Sequence, residues 1–156
     1  MIARRLVLST CALLAVLTVD CFAQRPPRVV AAPRLNYPPI AWWARIQGTV
    51  TLRVRLSDDG RVKNAELVRT TVNTRESQEQ VLSTAALDSV NKWQFEPTGA
   101  KAPTIREFEM QYVFKLVGRP SHEYRSRMKV NRRFTVEIIS PPPRPILDFS
   151  EVRSTK

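Results

Sequence analysis

Residues 49–56 read Thr-Val-Thr-Leu-Arg-Val-Arg-Leu, a strict apolar–polar alternation over eight positions. Val50, Leu52, Val54 and Leu56 fall on one side, and Thr49, Thr51, Arg53 and Arg55 on the other. A period of two belongs to a strand with one covered and one wet face, and fits no helix. Whatever else the chain does, it must build a sheet with something packed against one side. Ser57-Asp58-Asp59-Gly60 follows as a turn, with glycine supplying the positive φ that a tight reversal needs. Residues 62–68 return as a second strand, and their imperfect alternation predicts a bulge. The third strand is clearer. Phe108, Met110, Tyr112, Phe114 and Leu116 alternate with Glu107, Glu109, Gln111, Val113 and Lys115.

Two helices cover that sheet. Pro38-Pro39 suits a helix start, because proline in the first turn forgoes a donor that has no partner there. Residues 40–46 then predict two turns, ended near Gly48. Ser77 and Gln80 have capping-box spacing, in which hydroxyl and amide each satisfy a free backbone donor. Behind them Leu82, Ala86, Val90 and Trp93 form one helical stripe. Pro97 forbids continuation, so this helix ends near Trp93. Short helix, hairpin, helix and strand make an α+β domain: a three-stranded antiparallel sheet with helices on one face. In the tail, Met128, Val130, Phe134, Val136 and Ile138 share parity, so a fourth strand is expected over residues 128–139, stopped by Pro141-Pro142-Pro143 and Pro145. The simplest connection pairs it antiparallel with the third strand, and in one register Glu109 faces Arg133.

The first residues carry Arg4 and Arg5, then an apolar run over residues 6–19, then Asp20-Cys21-Phe22-Ala23. That is the order of a secretory signal. Fourteen helical residues rise about 21 Å against a hydrocarbon core of ~30 Å. The expectation is therefore cleavage after Ala23 and a periplasmic mature chain; the alternative is an uncleaved helix holding the domain at the inner membrane. Cys11 and Cys21 both lie in this segment, so the mature chain has no disulfide, thiol nucleophile or cysteine metal site. About 133 residues remain, enough for one domain, and the formal charge goes from +11 to +10. The expected organisation is a signal over residues 1–23, a proline-containing linker over 24–36, the domain over 37–117, and a basic, proline-rich extension over 118–156.

No catalytic set is legible. The single histidine, His122, sits in a polar loop, and without a second histidine or a cysteine it makes no zinc site. Asp58 and Asp59 are turn chemistry. Glu107 and Glu109 lie two apart on a wet strand face, not in a cleft that would tune them for proton transfer. Four scattered glycines make no phosphate loop. The chain is read as a non-enzyme with no cofactor and no metal. What does stand out is a basic patch, Arg125, Arg127, Lys129, Arg132 and Arg133, with Tyr124 and Phe134 beside it. Basic plus aromatic residues suit single-stranded nucleic acid, but an export signal sets nucleic acid aside in favour of anionic lipid or peptidoglycan. The same alternating cations also protect an exposed strand from aggregation.

Taken in order, Tyr37-Pro38, Ala41, Gly48 and Asp59-Gly60 precede Ala85-Ala86-Leu87, Val90, Lys92-Trp93, Phe95 and Glu96-Pro97. Val113-Phe114-Lys115-Leu116 closes the set. Over residues 37–116 the chain thus resembles the C-terminal periplasmic domain of TonB, the energy transducer of outer-membrane transport. The positions that carry the resemblance are scaffold: Trp93 and Phe95 anchor the helix on the sheet, and Pro97 stops it. The resemblance implies capture of an extended peptide from an outer-membrane receptor, or another envelope protein, by addition to the sheet edge. The edge it implies is the third strand, with Arg106, Glu107, Glu109, Gln111 and Val113 as the peptide-binding residues. A paired tail strand would cover that edge, so that binding moves to the new outer edge over residues 128–139 or the tail detaches, whereas a loose basic tail leaves the edge open. Two alternatives stand beside it. One is a charge-driven binder of anionic lipid or peptidoglycan. The other is a stand-alone structural adaptor without energy transduction, since a thirteen-residue linker reaches at most about 45 Å.

Overall fold

The alternating run of residues 49–56 becomes the second strand of a five-stranded mixed sheet. A computed structural model describes residues 26–73, 79–97 and 105–145. Its elements are β1 (Val29–Ala31), α1 (Pro39–Trp43), β2 (Gly48–Leu56), β3 (Val62–Val72), α2 (Glu79–Val90), β4 (Gln94–Phe95), β5 (Glu107–Leu116), β6 (Arg127–Val130) and β7 (Thr135–Ser140). The main sheet runs β3-β2-β5-β7-β6, and β1 with β4 forms a separate two-stranded ribbon.

β2 pairs antiparallel with β3 on one side and β5 on the other. Val50, Leu52 and Val54 are fully buried on its inner face, in line with Met110, Tyr112 and Phe114 of β5. Both helices lie on that face: Ala41 and Trp42 of α1, and Leu82, Ala86 and Val90 of α2, share one core with the strands. Each buried aliphatic side chain contributes roughly 1.5–3 kcal/mol relative to exposure, so this face holds the domain together. The expected bulge is present, as register shifts of β3 opposite Thr51/Leu52 and Arg55/Leu56.

α1 is shorter than the two turns expected. Arg45 takes a left-handed φ of 55°, and Ile46 returns its N–H to the Ala41 carbonyl at 2.8 Å, closing the helix before Gly48. α2 ends at Val90, and Trp93 follows after a turn in which its N–H reaches the Val90 carbonyl at 3.0 Å. Trp93 and Phe95 are buried. Ser77, half of the expected capping box, lies outside the described residues, as does the expected signal over residues 1–23.

Two expectations need correction. The sheet has five strands rather than three, and it is mixed. The tail forms a hairpin, not one strand: its apolar parity run is broken at Phe134, whose φ of 55° reverses the chain. Asn131 holds that turn, its side-chain oxygen accepting from the N–H of Arg133 at 2.9 Å and of Thr135 at 3.0 Å. β7 pairs parallel with β5, and β6 lies outside it, antiparallel to β7. Glu109 therefore faces Arg53 of β2 instead of Arg133.

The expected linker is also not a free spacer where it is described. Val29 and Ala31 pair with Phe95 and Gln94. The Arg34 guanidinium donates to the Ser126 carbonyl at 2.7 Å, and the Leu35 N–H meets the Met128 sulfur at 3.2 Å. Residues 29–31 are thus held by β4, and Arg34 and Leu35 by the same tail that completes the sheet.

Candidate functional site

The residues expected to bind a peptide all lie on or next to β5, and ion pairs tie Glu107 and Glu109 to β2 across the outer face of the sheet. Arg55 donates to Glu107 at 2.7 and 3.0 Å. Arg53 lies 3.8 Å from both Glu107 and Glu109. Arg106 pairs with Asp58 at 2.7 Å. Lys115 pairs with Glu137 of β7 at 3.0 Å. All these groups are well exposed and screened by solvent, so the pairs add little to stability. They order the outer face more than they stabilise it.

Backbone direction decides whether β5 can accept a further strand. The Leu56 N–H donates to the Arg106 carbonyl at 2.8 Å, and the Gln111 N–H to the Phe134 carbonyl at 3.0 Å. In an antiparallel ladder successive residues turn to opposite sides. Even-numbered residues of β5 thus bond β2, and odd-numbered ones turn the other way. β7 covers β5 from Gln111 to Leu116, so the outward groups of Gln111 and Val113 are taken. Among the described residues, Glu107 and Glu109 of β5 keep outward groups with no strand beside them. The third strand, named as the peptide edge and also expected to pair with the tail, is an interior strand over most of its length.

The edge has moved to β6. The Asn131 N–H donates to the Thr135 carbonyl at 3.0 Å, which fixes the parity: Arg127 and Lys129 bond β7, and Met128 and Val130 turn their N–H and C=O groups outward. Arg127 sits opposite Ile139 and Lys129 opposite Glu137, so both side chains project on the outer face. Arg132 and Arg133 are exposed in the adjoining turn, and Arg125 lies just before the strand, paired with Glu123. Among the described residues Arg127, Lys129, Arg132 and Arg133 have no ion-pair partner. The basic patch, treated in the sequence as a feature apart from the peptide edge, is the edge that the hairpin builds. The signal that could have revealed it is Asn131, a turn-forming residue in the middle of the expected fourth strand.

Burial pushes the phenols of Tyr37 and Tyr112 up from their ordinary value. The Tyr37 hydroxyl donates to the Ile46 carbonyl at 2.6 Å, a structural tie. Asp59 is held below the usual carboxylate range by Ser57 and by the backbone N–H of Arg61, which serves the turn. Among the described residues no group of His, Cys, Asp and Glu is placed to hold a metal, and no helix is long and apolar enough to cross a membrane. An open groove of about 460 Å³ lies between residues 33–39 and α2, edged by Asp88 and Lys92.

A family model described as the Gram-negative bacterial TonB protein C-terminal matches residues 33–116, more than half of the chain. The matched span starts before α1 and ends with β5, so the β6–β7 hairpin lies beyond it. No curated protein matches the chain.

Proposed function

The chain belongs to the Gram-negative TonB C-terminal family, whose members are non-enzymatic periplasmic domains that meet outer-membrane receptors, and on that premise we propose that it captures an extended, acidic segment of such a receptor on β6. The segment adds as the next strand of the sheet, and the capture serves energy-coupled transport across the outer membrane. The observation that carries this reading is the closure of β5 by β7. Val136 and Ile138 of β7 are fully buried in the core, so β7 is not a strand that a peptide displaces. Strand addition then falls to Met128 and Val130, whose backbone groups point away from the sheet. Backbone bonds supply the affinity in such an arrangement, and alternate side chains the selectivity. Arg127 and Lys129 flank the added strand on one face, with Arg132 and Arg133 at its end. That favours carboxylates on the partner.

The test is a titration of an acidic, strand-forming peptide from a candidate receptor, followed by calorimetry. Val130→Pro removes an outward N–H and leaves the β6–β7 ladder intact, so it abolishes binding without unfolding the protein. Binding to Val130→Pro at unchanged affinity rules out strand addition at β6.

A second reading rests on the same four unpaired cations: charge-driven attachment to anionic lipid or peptidoglycan. Salt separates the two. Attachment by charge falls steeply as ionic strength rises, whereas strand addition keeps most of its affinity.

A further inference from the structure

Among the described residues the sheet ends on its other side at β3, and that end differs from β6. β3 is eleven residues long, where β6 has four. A long strand with one unpaired side is a template for pairing with another chain, and protein edges are usually kept short or charged for that reason. Leu67 and Val68, at the middle of β3, are 47 % and 43 % exposed.

The direction of each backbone group follows from the ladder. Asn73 donates its N–H to the Gln47 carbonyl at 3.0 Å, and Ser57 its N–H to the Arg61 carbonyl at 2.9 Å. Arg69 sits opposite Thr51 and Glu66 opposite Arg53. Thr71, Arg69, Glu66 and Asn64 therefore face β2. Val72, Thr70 and Ala65 face outward. Two residues, Leu67 and Val68, lie between Glu66 and Arg69 because β3 is bulged there.

From this we infer that β3 pairs with β3 of a second copy, antiparallel about a two-fold axis between Leu67 and Val68. The inference is independent of the reading of β6. A regular strand that pairs with itself about such an axis sets an outward residue against an inward one, because residues whose numbers differ in parity point opposite ways. The bulge removes that conflict. With Leu67 opposite Val68, outward Ala65 meets outward Thr70, and inward Glu66 meets inward Arg69. Asn64 meets Thr71, and Lys63 meets Val72. Shifting the strands by two residues either way sets Glu66 against Leu67, or Val68 against Arg69, and the match is lost.

Charge selects the same register. Glu66 of each copy lies across from Arg69 of the other, twice by symmetry, as an isologous contact requires. Both side chains are on the outer face, where the single sheet already carries its cross-strand ion pairs. Arg69 has no ion-pair partner among the described residues. Leu67 of each copy lies against Val68 of the other and leaves water. The product is one ten-stranded sheet with β6 at both ends, so the two basic edges point away from each other.

Light scattering on the purified full chain across a dilution series tests this. The expected mass is that of two chains, falling to one on dilution. Glu66→Arg sets like charges across both rungs and weakens the dimer about tenfold. Adding Arg69→Glu restores it. Ala65→Pro removes an outward N–H and no internal ladder bond, so it abolishes the dimer while the thermal melt of the subunit shows that the fold persists. A single-chain mass at every concentration overturns the inference. So does a dimer whose affinity neither Glu66→Arg nor Ala65→Pro changes.

Discussion

Gln111 donates its backbone N–H to the Phe134 carbonyl at 3.0 Å, and at that bond β5 stops being an edge. On the near side, Glu107 and Glu109 border β2 alone among the described residues. On the far side, β7 runs parallel to β5 as far as Ser140. Phe134 itself packs on Phe108, ring centroids 4.4 Å apart, so the hairpin enters the sheet on an aromatic anchor. That is why the tail behaves as part of the domain.

Ile138 is fully buried, and truncating such a side chain to alanine costs about 2–5 kcal/mol. Ile138→Ala should lower the melting temperature well beyond the scatter of a surface control. An unchanged melt would mean that β7 adds nothing to the core and is free to leave.

Gly60 should tolerate no side chain. Its φ is +81°, and a Cβ there would lie 2.1 Å from the Phe95 carbonyl oxygen, a backbone atom that cannot step aside. Gly118 has φ +104° but open space around it. Gly60→Ala is expected to destabilise clearly more than Gly118→Ala, whose cost is backbone strain of about 1–3 kcal/mol alone. Urea midpoints of the two variants compare them directly.

Trp93 lies against Phe95, ring centroids 6.0 Å apart, and is 1 % exposed. Trp93→Ala should cost about 3–5 kcal/mol and leave peptide affinity per folded molecule unaltered. Lost affinity with an intact melt would move Trp93 from scaffold to binding residue.

Alkaline pH should weaken the fold through Tyr112. Burial raises the folded-state pKa of this phenol above its unfolded value. The contribution is fully present below about pH 10 and is lost as pH rises, because only the unfolded chain ionises readily. Above pH 10 the loss is about 1.4 kcal/mol per pH unit. In Tyr112→Phe that part of the slope should disappear, leaving whatever other groups contribute. Denaturant melts from pH 8 to pH 11 on both proteins measure the difference.

What the sequence disclosed depended on how local the cause was. The alternation in β2 and β5, the stripe of α2 and the Trp93-Gln94-Phe95-Glu96-Pro97 exit are set by neighbouring residues, and each element lies where its pattern says. The order of strands in the sheet is not local. Nothing in residues 127–140 states that β7 slides between β5 and β6. That is decided by burial of Val136 and Ile138 beside Tyr112 and Phe114. The same parity that suggested one strand was split by Asn131 and the left-handed Phe134, where side-chain hydrogen bonds outweigh the apolar period. The binding residues were named on β5 because the family pattern implies its last strand as the edge, although the tail was also expected to pair there. The chain continues past that pattern, and the edge went with it. The docked residues before α1 were hidden for a related reason: their prolines read as a spacer, while their partners, Ser126 and Met128, lie about ninety positions away.

β7 comes after β6 in the chain yet sits inside it in the sheet. An interior position is thus filled by the last strand among the described residues. Until residues 135–140 are in place, β5 lacks its second neighbour and β6 has nothing to lie against, so the hairpin must dock as a unit rather than strand by strand. A truncation that removed only β7 would therefore leave a gap one strand wide between β5 and β6, not a trimmed edge.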